Sequence, residues 1–189
     1  MSKETCWPKE LTARMEQYSP CLAAWITAYL KTCAPALPVY DLGCGKAEYV
    51  AHLQQRDFQA IGFEGTRDIA SVAVTASVIE QDITERIENN FPRGSVLCLE
   101  VMEHILADDH GAVLDNIDQL CDDVLILSWA IEGQPGHGHV ACRNASFVIP
   151  FMLDRGYHYQ ARDSVDARAA GGHDRSWYHD TVYVFRRNQ

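Results

Sequence analysis

The stretch VYDLGCGKAEYV, Val39 to Val50, runs apolar residues into an acid, then two closely spaced glycines, then a helix-forming segment. That layout is a strand, a tight turn and a helix. It is how an α/β protein presents a nucleotide-like ligand to the end of its sheet. Gly43 and Gly45 can adopt the backbone angles of such a turn and let a ligand approach the main chain closely.

The residues around the turn narrow the ligand. A nicotinamide-binding turn wants Gly or Ala at its third fingerprint position. Counting from Gly43, that position holds Glu48. A diphosphate would also meet Asp41 and Glu48 on either side of the turn. Lys46 follows Gly45 directly, without the GxxxxGK[ST] spacing of a P-loop. Further on, IGFEGT sets Glu64 and Gly65 at the end of a second strand, Glu64 lying 19 positions past Gly45. An acid there can accept both hydrogen bonds of a ribose diol. QDIT follows a third strand, with Asp82 positioned for an adenine amino group and Ile83 for its ring face. Three acids at three strand ends suit a ribonucleoside that carries no phosphate.

Outward from the turn, strands and helices alternate. Strands are expected at 37–42, 59–63, 78–81, 95–99 and 123–128, with helices at 48–55, 68–72 and 105–120. Such alternation argues for a parallel sheet covered on both faces. Before it, residues 8–19 form a short opening helix and 21–33 a longer one. In the longer helix Leu22, Trp25, Ile26, Tyr29 and Leu30 follow the spacing of a buried face. After it, Glu132 to Arg143 is a loop rich in Gly and His, 145–154 a helix, and 157–161 and 181–185 closing strands. Tyr157, Tyr159 and Tyr178 are expected as sheet residues. Residues 167–177 (ARAAGGHDRSW) are expected as a mobile or functional loop.

Composition sets the outer bounds. The 189 residues suit one domain, and a chain near this size hides roughly 70% of its unfolded surface. With 16 Lys and Arg against 26 Asp and Glu, the net charge is -10. That is a poor match for nucleic acid, whose binding depends on cations neutralising phosphates. The seven cysteines are odd in number and include no CxxC pair, so a reducing compartment is expected. The polar start MSKETCWPKE has no apolar signal core, and no apolar run approaches the ~20 residues of a membrane span. A cytoplasmic protein without membrane attachment is the expectation.

With DLGCG, FEGT, QDIT and VLCLEVMEHI (residues 96 to 105) in order and register, the chain resembles the class I S-adenosylmethionine-dependent methyltransferases. The resemblance covers roughly residues 37 to 140. It implies a Rossmann-like, doubly wound, mostly parallel seven-stranded sheet with helices on both faces. It also implies a single methyltransferase domain over 1–189, whose N-terminal helices (1–36) cover the active site. The implied cofactor is S-adenosyl-L-methionine. Asp41, Gly43 and Gly45 would hold its methionine moiety, Glu64 and Gly65 its ribose, and Asp82 and Ile83 its adenine, with Glu100 completing the site. The family's third glycine is Ala47 here, a mild departure.

Glu100, Glu103 and His104 follow the fourth strand, where open α/β sheets place ligands. Carboxylate plus imidazole suits a divalent metal (Mg, Mn or Zn) with open positions. Similar ExxEH motifs bind metal in small-RNA 2′-O-methyltransferases and in ubiquinone-pathway O-methyltransferases, while other members of the family carry an EVxEH segment without one. His139, or His137, would be the further metal ligand. Without metal, His104 or His139 could act as general base, since an imidazole titrates near neutral pH. His52, in the helix after the glycine turn, reads as a bystander. Tyr18, Trp129, Gln134 and His137 form the expected acceptor wall, with Trp25 and an anion-anchoring Arg143 as further candidates.

The reading is therefore an enzyme that moves a methyl group to an O or N atom of a small-molecule acceptor, in specialised or sugar-related metabolism. Two alternatives stay open. One is metal-assisted RNA 2′-O-methylation. The other is a cofactor-binding partner protein without catalysis. A nicotinamide oxidoreductase is more distant, because of Glu48.

Overall fold

The computed structural model describes residues 6–88 and 90–187. Seven strands form one sheet in the order β3-β2-β1-β4-β5-β7-β6. They are β1 (Val39–Leu42), β2 (Ala60–Glu64), β3 (Val78–Glu80), β4 (Gly94–Cys98), β5 (Cys121–Ser128), β6 (Tyr157–Tyr159) and β7 (Val182–Arg187). β1 pairs in parallel with β2 and β4, β2 with β3, and β4 with β5. β7 runs antiparallel between β5 and β6.

The sheet is buried on both faces, and the pleat sorts its side chains. Tyr40, Leu42, Val96, Cys98, Leu125 and Leu127 join one core cluster. Val39, Leu97, Val124 and Ile126 join the other. The first face is covered by Val113, Leu114 and Ile117 of α4 (His110–Leu120) and by Val148 and Met152 of α5 (Ala145–Asp154). The second carries α2 (Pro20–Cys33), α3 (Glu48–Gln54) and Ala167 of α6 (Ala161–Asp174). Two short helices, α1 (Lys9–Thr12) and α7 (Tyr178–Thr181), complete the set.

Helix α2 shows why its boundaries fall where they do. Pro20 opens it, and the Ser19 hydroxyl accepts the Leu22 amide at 3.0 Å. Asp174 ties this end to α6, its carboxylate accepting the Cys21 amide at 2.7 Å and the Ser19 hydroxyl at 3.0 Å. Leu22, Ile26 and Leu30 are fully buried, while Trp25 and Tyr29 stack on each other, half-buried, at 4.9 Å.

Four expectations need correction. The opening helix is only the four residues of α1. Residues 105–109 are not α-helical: α4 begins at His110, behind two 3-10 turns at Met102–His104 and Ala107–Asp109. Leu106 is extended (ψ 142°), and the His110 ring takes the carbonyls of Met102 and Ile105, at 3.1 and 3.0 Å, that a continuous helix would use itself. The segment expected as a loop at 167–177 is mostly helix α6. Its glycines survive inside the helix because there is no room for more: a Cβ on Gly171 would lie 2.8 Å from Tyr178 Cβ, and one on Gly172 would lie 2.2 Å from the His179 ring. Close packing against α7 offsets the roughly 0.5–1 kcal/mol that each glycine costs. Lastly, Tyr178 opens α7 rather than joining the sheet.

Candidate functional site

The C-terminal ends of β1, β2 and β4, with the loop after β3, frame one cavity. Asp41, Gly43, Gly45, Glu64, Gly65, Asp82, Ile83 and Glu100 all line it. The turn is built as its glycines demand. Gly43 and Gly45 have φ of +73° and +53°. A Cβ on Gly43 would fall 2.5 Å from Val101 Cγ2, so the turn also packs against the segment after β4. Ala47 is left-handed too, with φ 60° and ψ 36°. The glycine of related turns would be relaxed there, whereas alanine carries about 1 kcal/mol of strain.

The three acids are held differently. Glu64 is braced: one carboxylate oxygen accepts the Gly45 amide at 2.9 Å, and the other accepts the amide and hydroxyl of Thr66 at 3.0 and 2.8 Å. Asp82 Oδ1 accepts the amide and hydroxyl of Thr84 at 2.9 and 2.8 Å. Asp41 is buried, and among the described residues its Oδ2 meets no hydrogen-bond partner. Burial, reinforced by the neighbouring Glu64 charge, pushes its carboxyl up to about 7. An orphaned acceptor beside a glycine turn is a place where a ligand donor fits.

The N-terminal segment closes this cavity. Cys6, Trp7, Thr12, Met15, Gln17 and Tyr18 line it. Thr12 and Thr66 share a buried hydroxyl contact of 2.8 Å, and Lys9 pairs with Asp68. Gly65 leaves room for the strap, since a Cβ there would meet Cys6 Sγ at 2.3 Å. Most of these residues gave no signal in the sequence, because nothing in a polar, non-periodic segment tells where it folds back.

A second cavity of 680 Å³ adjoins the first and shares Glu100, His104, Met15 and Gln17 with it. Gln134, His137 and His139 line it, as do Glu103, Ile131, Trp177 and Asp180. The last three were not expected: Ile131 carries no local pattern, and Trp177 and Asp180 come from a segment whose helices the sequence disguised. Other expected wall residues lie elsewhere. Trp129 is fully buried, its indole donating to the Ala141 carbonyl at 2.7 Å, so it supports the loop from beneath. Tyr18 faces the first cavity, and its hydroxyl meets His52 Nδ1 at 2.7 Å. His52 is thus the partner of a cavity residue rather than a bystander. Trp25 packs against the core and lines neither cavity. Arg143 lines neither: its guanidinium sits 5.0 Å from the Phe147 ring centre.

Between the cavities, the residues after β4 gather. Glu100 takes a left-handed φ of 56°, a strain that functional sites tolerate. Its amide donates to Ser128 Oγ at 2.6 Å, and its Oε1 accepts the hydroxyls of Ser128 and Thr181 at 2.8 and 3.2 Å. Burial raises its carboxyl, and those hydroxyls partly offset the rise. Glu103 is fully buried and neither of its oxygens has a partner. Burial and then the Glu100 charge hold its carboxyl well above the usual range. His104 Nδ1 lies 3.2 Å from the Gly138 carbonyl, and His139 Nδ1 lies 3.1 Å from that of Gln134. Each carbonyl calls for an Nδ1–H donor, which leaves Nε2 as the free lone pair. Burial lowers His104 to about 4, so the ring is neutral near pH 7.

Ligand atoms of Glu103, His104 and His139 all lie within 4.8 Å of one another. One orphaned carboxylate and two oriented imidazoles are a donor set that fits a divalent cation. Glu100 does not join the set: its Oε1 is turned to Ser128 and Thr181. A second group, Cys21, His173 and Asp174, is equally close-set, but its carboxylate is already engaged as the cap of α2.

Among solved structures the chain is similar to magnesium protoporphyrin IX methyltransferase from Synechocystis PCC 6803 with bound SAH. The match has 19% identity and a TM-score of 0.64, and covers 88% of this chain and 82% of that one. It is similar to a glycopeptide N-methyltransferase complexed with S-adenosyl-L-methionine, at 11% identity and TM-score 0.63, over 100% and 99% of the two chains. It also matches a small-RNA methyltransferase at 17% identity and TM-score 0.63, over 93% of this chain and 27% of that one. No family model and no curated protein sequence matches. The fold is therefore that of the class I methyltransferases. Among the described residues, no helix is long and apolar enough to cross a membrane.

Proposed function

We propose that this chain is an S-adenosylmethionine-dependent methyltransferase acting on an O or N atom of a small-molecule acceptor. One observation carries the reading: the side chains of four separate sequence motifs converge on a single cavity at the strand ends. The neighbours of this fold include enzymes whose acceptors are a porphyrin, a glycopeptide and 1,6-didemethyltoxoflavin. S-adenosylmethionine supplies an electrophilic methyl group when bound. Asp41 and the glycine turn hold its methionine end, Glu64 its ribose, and Asp82 and Ile83 its adenine. The acceptor sits against Gln134 and His137. Neutral His104, or His139, takes the proton that the acceptor atom sheds. The chain's main work is alignment, which can supply much of the acceleration.

Thermal shift tests this reading. A ligand at 100 times its Kd adds about 2.7 kcal/mol, which is roughly 5–10 °C for a domain of this size. S-adenosylhomocysteine should give that rise and NAD should give none. The reverse pattern, or no rise with either, overturns the reading.

The clustering of Glu103, His104 and His139 favours one elaboration. A divalent cation held there would lower the pKa of an acceptor hydroxyl. Turnover should then vanish in chelator and return with Mg²⁺, Mn²⁺ or Zn²⁺. Unchanged turnover in chelator removes the metal and leaves His104 and His139 as bases.

A further inference from the structure

The second cavity carries a charge that points to its occupant. Glu16, Glu100, Glu103, Glu132 and Asp180 line it, and among the described residues no Lys or Arg does. One of the five is balanced, because Arg175 lies 3.9 Å from the Glu16 carboxylate. Glu132 accepts only the neutral amide of Asn144, at 2.9 Å. Asp180 is exposed. Glu103 is the telling member, since it is fully buried and, among the described residues, neither of its oxygens has a hydrogen-bond partner, the nearest cation-forming group being His104 Nε2 at 4.0 Å from Oε1. A buried carboxyl group without a hydrogen-bond partner is retained at a cost until a ligand supplies one. A neutral hydroxyl could bring hydrogen bonds but no charge. An anion would add repulsion from every side.

We infer that the methyl acceptor is a small molecule bearing an ammonium or guanidinium group, and that the Glu103–Glu132–Asp180 wall holds it by that group. The inference rests on the methyltransferase reading and names the acceptor class of that same site. The charged group is the handle. The methylated atom is a different one, which keeps a free lone pair for the methyl carbon. Arg143, the cation that the sequence offers for an anionic acceptor, is turned to Phe147 instead. A dication at the Glu103 cluster would still leave Glu132 and Asp180 unbalanced, so the charge preference holds with or without metal.

The test uses the full chain saturated with S-adenosylhomocysteine, so that a failure of cofactor binding is seen first and separately. Thermal shift is then read with two panels. One holds cations (polyamines, amino sugars, argininamide). The other holds anions (sugar phosphates, hydroxy acids, nucleotides). Stabilisation confined to the cationic panel is expected. The double variant Glu132→Gln with Asp180→Asn should weaken the best cation at least tenfold while leaving S-adenosylhomocysteine affinity within twofold. Stabilisation by the anionic panel, by neither panel, or by a cation indifferent to the double variant would overturn the inference.

Discussion

The two cavities meet at Glu100 and His104, and each holds one buried acid with an orphaned oxygen, Asp41 in the first and Glu103 in the second, yet the acids around that one are held differently. In the first, two acids are pre-satisfied: Glu64 is held by Gly45 and Thr66, and Asp82 by Thr84. In the second, Glu103 is buried and, among the described residues, its oxygens have no hydrogen-bond partner. A site braced from within keeps its shape when empty, and its chemistry is fixed before the ligand arrives. A site with an orphaned buried acid stays costly until something completes it.

The difference predicts separable damage. The largest effect is expected at Glu64. Glu64→Ala removes charge-assisted acceptors worth about 1.5–3 kcal/mol each, so S-adenosylhomocysteine affinity should fall roughly 100-fold. His139→Ala should leave that affinity within twofold while lowering methyl transfer, by about 100-fold or more if His139 is the base. Equal affinities in the two variants would dissolve the division between the cavities.

Glycines give a second pair. Gly43→Ala drives a Cβ to 2.5 Å from Val101 at a left-handed φ, and overpacking of this kind costs about 1–3 kcal/mol. Lower stability and roughly tenfold weaker cofactor binding should follow, read by thermal unfolding and calorimetry. Gly136→Ala puts a Cβ 2.0 Å from the His139 ring. It should reduce methyl transfer while sparing cofactor binding.

This contrast also explains what was legible. The strand-end cavity was readable because strand, turn and acid occupy contiguous residues, and because register in a parallel sheet brings successive strand ends to one edge. Asp41, Glu64 and Asp82 are each local. The acceptor side is assembled from residues distant in sequence. Trp177 and Asp180 reach it through α6 and α7, and α6 looked like a loop because GG inside a helix reads as a breaker when the partner helix is unseen. Trp129 looked like a wall and is a support, because the sequence does not tell which side of a loop its anchor lies on. Tyr18 was expected at the acceptor and faces the strand-end cavity, since residues 8–19 carry no period from which to read their path.

A smaller effect concerns pH. Asp41 titrates at about 7 in the folded chain, against an ordinary value of 3.8. Between those values the folded chain holds a proton that the unfolded chain has released. Its contribution is thus fully present below about 4 and lost as pH rises toward 7. Without ligand, the Tm should be higher at pH 5.5 than at pH 8, by roughly 5 °C if about 2 kcal/mol of the shift is expressed. Asp41→Asn should make that slope shallower, leaving the part that the raised carboxyls of Glu100 and Glu103 contribute. An unchanged slope would mean that the carboxyl is solvated.

The smallest effect is at Ala47. Ala47→Gly relieves the left-handed strain and adds unfolded-state entropy, two terms of similar size. Thermal unfolding should therefore change by no more than about 1 kcal/mol, with cofactor affinity unaltered.

The central claim is that the strand-end cavity holds S-adenosylmethionine and the second cavity does not. Calorimetric titration with S-adenosylhomocysteine, run on the parent chain and on Glu64→Ala and His139→Ala, tests it most directly. One-to-one binding that is lost with Glu64 and kept without His139 is the predicted result. Absence of binding by the parent chain, or loss that follows His139 instead of Glu64, would contradict it.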